Sequence, residues 1–344
     1  MATTKKHAVS IVDVARVAGV SHQTVSRVLN QPESVREKTR QAVLNAIAIT
    51  GYRRNENARI LRSSTPETIG ILVPPTDMNG PMDVMWGVER MAAKRNYLLK
   101  TSIMSERTEA SGMQALNKLL GFDVAAVIII AEQTWLEPLV RMASDLPVVS
   151  VGASLASTTS VSYVDMDQQY GVELIMDHLT KQGCQRVDHI AGPYGWYSSQ
   201  SRMNGWLRFR ERKSFLTGRL YRGDWSAQAG YEIGCEIAQD LPDAIVAAND
   251  AMAIGTIRAL HDHGIRVPQD VLITGYDDLA VDEFLNPSLT TVHQDFHELA
   301  SVALDLAVSL REHPDETPSC HLIKPKLVIR ESSVRDRLTL SEDA

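Results

Sequence analysis

At 344 residues the chain is too long for one small core and implies two or three domains. Its 44% hydrophobic and 22% charged residues are those of an ordinary soluble globular protein, and no run of eighteen apolar residues offers a transmembrane helix. The net charge of −7 hides an asymmetry: residues 1–63 hold eleven Lys/Arg against four Asp/Glu, and the remainder 24 against 38. A basic head on an acidic body suits a phosphate-binding module joined to a sensor. The opening MATTKKHAVS has no apolar core of a signal peptide. Cys184, Cys235 and Cys320 lie far apart without a CxxC pair, which fits a reducing cytoplasm and speaks against structural zinc.

The first element lies in Ile11 to Ala18, with apolar residues at helical spacing and Asp13 and Arg16 outside. Gly19 suits the left-handed turn that ends a helix. Ser21 is a good N-cap for a second helix from His22 to about Leu29. Val14, Ala15, Ala18, Val20, Val25 and Val28 are small enough to let the two helices cross closely. Short helix, glycine turn, short helix is the helix-turn-helix pattern, in which the second helix enters the major groove. Its exposed face offers His22, Gln23, Ser26 and Arg27, followed by Asn30. Gln pairs with adenine and Arg binds guanine with two bonds, while Ser21 and Thr24 are placed for phosphates. On an isolated short helix the same side chains would be plain solvent exposure. A third amphipathic helix spans about Glu37 to Thr50 and ends at Gly51, with Val43, Leu44 and Ile47 closing a small core. The following NENARILRSS, Asn55 to Ser64, is polar, short and uncapped, so alone it should fray.

The stretch VSIVDVARVAGVSHQTVSRVLNQ resembles the head of the lactose-repressor family of bacterial transcriptional regulators, and the resemblance runs over nearly the full chain. It implies that the segment after the third helix forms a hinge helix on operator DNA, pairing with its dimer mate in the minor groove. By position Leu61 would be the leucine that wedges into the central base step, Ala58 the close-contact residue between paired hinges, and Asn55 a further DNA contact. The alternative for Leu61 is a linker residue packed on the sensor. Two departures stand out. Arg54 replaces a common proline before the hinge, and Arg36 stands where a capping serine is usual.

After Pro66 short β-rich runs alternate with helical stretches. The runs are Ile69–Val73, Val124–Ile130, Val148–Val151, Val187–Ala191, Ala244–Ala248 and Val271–Thr274; helical periods include Met82–Arg95, Tyr170–Gln182 and Ala251–His263. This is the βαβ signature of a parallel sheet covered by helices, and its length suggests two lobes. In such sheets ligands bind beyond the carboxyl ends of the strands. There AIVAAND leaves its strand at Asn249 and Asp250, VLITGYDD at Asp277 and Asp278, and SVSYVDMD at Asp165 and Asp167. Capping or surface roles fit Asp250 and Asp278, and ligand contact fits Asn249 and Asp277.

GDWSA (Gly223–Ala227), AND.MA.G (Ala248–Gly255), GYDD (Gly275–Asp278) and TTV.QDF (Thr290–Phe296) look like the sugar-sensing core of the same family, which is similar to periplasmic sugar-binding proteins. That resemblance implies two lobes joined by three crossover strands, near 164–168, 292–296 and 322–326, with the ligand between them. The implied pocket includes Ser198, Arg202, Trp225, Asn249, Asp277, Gln294 and Phe296, with Met78, Gly80, Pro81 and Val84 on the apolar side from the first lobe. Carboxylate, amide and guanidinium groups read paired sugar hydroxyls, and a Trp face covers the C–H side of a sugar ring. The alternatives are core packing for Trp225 and a surface ion pair for Arg202. Lactose-binding members use an acidic residue at the end of the fourth strand, where this chain has Gly152. The aromatic stretch PYGWYSSQSR (Pro193–Arg202) would sit as a loop at the cleft mouth, there to stack a second sugar or an aglycone, or else to pack on its own lobe.

No P-loop, GxSxG, HExxH or metal-ligand cluster occurs, so no catalytic residue, metal or cofactor is expected. The domains read as 1–54 helix-turn-helix, 55–65 hinge, 66–335 effector-binding and dimerisation, and 336–344 tail. In that tail Leu338 and Leu340 cannot form a heptad seam. The expectation is a cytoplasmic homodimer on a pseudo-palindromic operator, with dimer contacts including the helix Met82–Arg95 and with a sugar acting as inducer. The rivals are the same architecture sensing a nucleobase or a corepressor, and a binding protein with no DNA role.

Overall fold

The computed structural model describes residues 9–52, 68–75, 79–143, 145–152 and 161–335. The chain divides into two compact units between residues 65 and 66. Asn55, Ala58, Leu61 and Met78, together with the tail 336–344, lie outside the described residues, as does the side chain of Asn30.

The first unit is three helices: α1 (Ile11–Ala18), α2 (His22–Asn30) and α3 (Glu37–Thr50). Ser10 and Asp13 close a capping box on α1, each side chain bonded to the other residue's backbone N–H. Gly19 follows with φ 67°, a left-handed turn that glycine adopts without strain. Ser21 caps α2 by accepting from the Thr24 N–H at 3.1 Å. The core is Val14, Ala15, Val25, Val28, Val43 and Ala46. Leu44, expected in this core, is instead exposed. Val43, Ala46 and Ile47 recur at helical spacing on one face of α3, and Leu44 is rotated about 100° away from Val43.

The second unit is a two-lobed α/β body. Its first lobe is built from β1 (Thr68–Val73), α4 (Asn79–Lys94), β2 (Leu98–Ile103), α5 (Glu109–Leu120), β3 (Ala126–Ile130), α6 (Glu137–Met142), β4 (Val148–Val151) and β5 (Ser162–Met166). The chain then enters the second lobe with α7 (Gln168–Lys181), β6 (Val187–Ala191), α8 (Tyr197–Arg212), β7 (Leu220–Arg222), α9 (Ala227–Ile237), β8 (Ala244–Ala247), α10 (Asp250–Asp262) and β9 (Leu272–Thr274). It returns through β10 (Thr291–His293) to α11 (Phe296–Glu312) and β11 (Cys320–Ile323), and ends with β12 (Lys326–Val328). The first sheet has the order β11-β5-β4-β3-β1-β2 and the second β7-β6-β8-β9, both parallel. β10 and β12 form a separate two-stranded antiparallel pair.

Helices cover both faces of each sheet, which is why β1, β3, β4, β6 and β8 are almost wholly buried and apolar instead of alternating. In the first lobe α4 and α11 pack on one face around Ile71, Ile128 and Leu304. α5 and α6 cover the other around Leu116, Ile129 and Leu139. The second lobe repeats the scheme, with Trp206 and Phe209 of α8 on one face and Met252 and Leu260 of α10 on the other. The chain therefore passes between lobes after β5, after β10 and after β11.

α3 is the weak point of the head, because Arg36 at its N-cap makes no side-chain capping bond. We expect Arg36→Ser to stabilise the start of α3 by about 1 kcal/mol. Hydrogen exchange of the α3 amides in the full chain should then slow by roughly fivefold.

Candidate functional site

In the head, α2 presents His22, Gln23 and Arg27 to solvent, with Ser26 half-buried beside them. Val25 and Val28 turn the opposite face into the core. The Ser21 and Thr24 hydroxyls lie 2.9 Å apart at the N-terminus of α2, where unpaired backbone N–H groups and the helix dipole favour an anion.

In the body, a cavity of about 400 Å³ opens between the lobes. It is lined by Gly80 and Pro81 at the start of α4, Ser198 and Arg202 of α8, Trp225, Asn249, Asp277, Gln294, and Phe296 at the start of α11. Val84 lies one turn further along α4, buried, on a small adjoining cavity of about 20 Å³.

Arg202 is only 4% exposed, so the surface ion pair is not its setting. Its Nε donates to Gln168 Oε1 at 2.8 Å. Gln168 Nε2 donates to Gln294 Oε1 at 3.2 Å, and Gln294 Nε2 to Asp277 Oδ1 at 2.6 Å. Asp277 Oδ1 in turn lies 3.6 Å from Arg202 Nη1, closing a ring of four polar side chains. Nη1 also donates to the Ala248 carbonyl at the end of β8, and the guanidinium sits 3.7 Å over the Tyr276 ring. Strand ends and the first residue of a helix supply all but Arg202, because that is where a buried sheet meets the interlobe space.

Trp225 packs in the core of the second lobe and also lines the cleft, so core packing and cleft lining are both its setting. Its φ is 78°, and those of Asp277 and Asp278 are 127° and 60°. Non-glycine residues held there store strain, and such strain gathers at functional sites. Asn249 caps α10 by accepting from the Met252 N–H at 3.0 Å and donates to the Trp225 carbonyl at 3.0 Å. An amide has two N–H groups and two lone pairs, so these bonds use one of each.

Several expectations change. Asp250 is neither a cap nor a surface residue: it is fully buried, accepting from Thr291 Oγ1 at 2.6 Å and the Leu279 N–H at 3.2 Å. Asp278 is held by Arg330 at 2.7 Å and faces His293 Nδ1 at 3.0 Å, so it ties the loop after β9 to the end of the chain's last strand. The stretch Pro193–Arg202 is a loop only as far as Trp196, because α8 begins at Tyr197. Tyr194 is 81% exposed under the Arg222 guanidinium, Tyr197 packs on the first lobe, and Trp196 lines the cleft.

The sequence reading missed Glu132, which follows β3 and lines both cavities. It accepts a hydrogen bond from Ser198 of the opposite lobe. A Cβ on Gly152, whose φ is 80°, would come within 2.8 Å of Glu132 Cγ. The carboxylate absent at Gly152 thus has a neighbour in its space, supplied from the adjacent strand end. Gln168, Arg107 and Asp224 were also missed. An apolar run ending in Ala131–Glu132 was the available signal for Glu132, by the rule that gave Asp277.

Around Arg202 the cleft is acidic. Burial raises the Glu132 carboxyl above its ordinary range, against the Ser198 hydrogen bond and the Arg202 charge. Burial and the nearby Glu132 push Asp165 up to about 7. Burial does the same to Asp277, also to about 7, with Arg202 opposing it and Asp250 and Glu132 adding to it. Among the described residues no cluster suits a metal ion, and no helix is long and apolar enough to cross a membrane.

A helix-turn-helix head and a two-lobed body with an interlobe cleft together define a ligand-responsive transcriptional regulator. Residues 10–55 match the model of bacterial regulatory proteins of the lacI family, and residues 176–333 that of the periplasmic binding protein-like domain. The lactose operon repressor of Escherichia coli is 30% identical over 310 residues, covering 88% of this chain and 85% of its own. GalR of the same organism is 29% identical over 97% of this chain and 98% of its own. The HTH-type transcriptional repressor PurR of Haemophilus influenzae is 28% identical over 94% and 98%. A Lac repressor dimer bound to operator and the anti-inducer ONPF superposes with a TM-score of 0.86 at 28% identity, covering 95% of this chain and all of that one. The chain belongs to the lacI family of bacterial regulatory proteins, whose members here are transcriptional repressors.

Two outcomes test the cleft. Arg202→Met leaves Gln168 and Asp277 without their cation, and we expect it to destabilise the body by about 3–5 kcal/mol, read from the urea midpoint. Asp165 is harder to ionise folded, near 7, than at its ordinary 3.8, so stability falls as pH rises between these values. Asp165→Asn should therefore raise the Tm at pH 8, and by clearly less at pH 5.

Proposed function

We propose that this repressor binds a pseudo-palindromic operator as a homodimer in the cytoplasm and that a small sugar in the interlobe cleft lowers its operator affinity. The ring of Arg202, Gln168, Gln294 and Asp277 beside Trp225 carries the reading. Paired hydroxyls each donate and accept, so a carboxylate and amides held rigidly at one end of a cavity match them. The Trp225 face and Phe296 suit the C–H face of a sugar ring. The cavity of about 400 Å³ falls within the roughly 300–1,000 Å³ of small-molecule sites. Relatives whose names point to sugars, among them the lactose repressor and a CelR structure with cellobiose (26% identical, TM-score 0.70), add support.

In this reading Asn249, Asp277, Arg202, Ser198 and Gln294 orient the ligand, and Gly80, Pro81, Val84 and Phe296 form its apolar side. Glu132 adds a second acceptor from the first lobe. In the head His22, Gln23, Ser26 and Arg27 read bases, Ser21 and Thr24 hold phosphates, and Asn30, Asn55, Ala58 and Leu61 complete the contact. A nucleobase is the second reading, favoured by the PurR relatives.

Gel shifts on an operator half-site library with and without mono- and disaccharides test the first claim. No sugar altering the shift sinks the inducer reading, and purines alone altering it establishes the second. In the same assay Gln23→Ala and Arg27→Ala should each cost about 1–3 kcal/mol and relax base preference at one position.

A further inference from the structure

The cavity has two ends of different character. Its inner end is closed by Arg202 and Gln294, 4% and 5% exposed. Its mouth is lined by Trp196, Arg107, Asp224 and Ser226, which the sugar reading of the inner end does not use. Trp196 meets Trp225 edge-to-face, with ring centroids 6.0 Å apart and planes at 75°. A single sugar ring lying flat on Trp225 therefore cannot also lie flat on Trp196. Stacking on both indoles takes two rings.

The mouth is also built in advance. The loop that carries Trp196 is held to the opposite lobe by its backbone: the Thr134 N–H donates to the Gly195 carbonyl at 3.1 Å and the Tyr197 N–H to the Glu132 carbonyl at 2.8 Å. The main chain on both sides of Trp196 is therefore held in place, and less backbone freedom is lost on binding. The Arg107 guanidinium stands 5.7 Å from the Trp196 centroid. The Asp224 carboxylate accepts from Ser226 Oγ at 2.6 Å and from the Ser226 N–H at 2.9 Å, bonds that keep it ionised. An ionised acceptor, a guanidinium and an aromatic face in one place form the same trio that the inner end offers a sugar.

We propose that Trp196, with Arg107 and Asp224, forms an outer subsite for a second sugar unit, so that the effector is a disaccharide. The proposal rests on the reading of the inner cleft as a sugar site. The polar pair at the mouth favours a hydroxyl-bearing second ring over a bare aryl aglycone.

The test is titration calorimetry on the full chain with cellobiose and lactose, beside glucose, galactose and their p-nitrophenyl β-glycosides. At least one disaccharide should bind about tenfold or more tightly than its non-reducing monosaccharide. Trp196→Ala should remove most of that advantage and leave the monosaccharide within twofold. Trp196→Phe, which keeps an aromatic face, should retain most of it and guards against loss of folding in the alanine variant. Equal affinity for one and two rings, or equal loss of both in Trp196→Ala, overturns the subsite while leaving the sugar site intact. Preference for the aryl glycosides over both disaccharides overturns the second sugar. Failure of every carbohydrate to bind overturns the underlying reading and the subsite with it.

Discussion

Arg202 is a permanent cation with almost no access to water, and the middle of the body is arranged around its burial. A buried guanidinium is tolerated only when its charge is paired and its N–H groups are satisfied. Gln168 from the start of α7, Ala248 at the end of β8, Asp277 beyond β9 and the ring of Tyr276 meet that demand. Gln168 and Gln294 sit directly on two of the passages between lobes, after β5 and after β10. The same ring that keeps Arg202 in place thus ties together two of the places where the chain crosses.

The acidity of the cleft follows from the same constraint. One guanidinium faces three carboxyl groups, Glu132, Asp165 and Asp277, and each is raised above its ordinary range mainly by burial. Arg202 lowers all three but is shared among them. The close approach of Glu132 to Gly152 shows that glycine at the end of β4 leaves room for the acceptor at the end of β3.

Strain at Trp225, Asp277 and Asp278 belongs to this picture. Positive φ at a non-glycine residue costs on the order of 1–3 kcal/mol and persists only where surrounding bonds outweigh it. Asn249 Nδ2 holds the Trp225 carbonyl, Gln294 holds Asp277, and Arg330 holds Asp278. Asn249 thereby links a helix cap to a strained aromatic wall, and the pocket-lining residues hold one another in shape.

The sequence by itself determined what short-range physics controls. Helical spacing, the Gly19 turn and the Ser21 cap defined the head down to the exposure of His22, Gln23 and Arg27. Continuous apolar runs gave the strands buried on both faces, and polar residues just beyond them gave Asn249 and Asp277, whereas Gln294 came only from the family resemblance. Edge strands β2 and β7 and the β10–β12 pair carry weaker patterns, because an exposed or short strand needs no apolar run. The phase of α3 also escaped, since Leu44 and Val43 differ only in which way the helix turns them. Only the tertiary structure decided which groups meet. Glu132 and Ser198 are 66 residues apart, and Gln168 and Gln294 are 126 apart. No local pattern encodes such pairs, because they arise from where the strands end in space and not from what lies beside them in the chain.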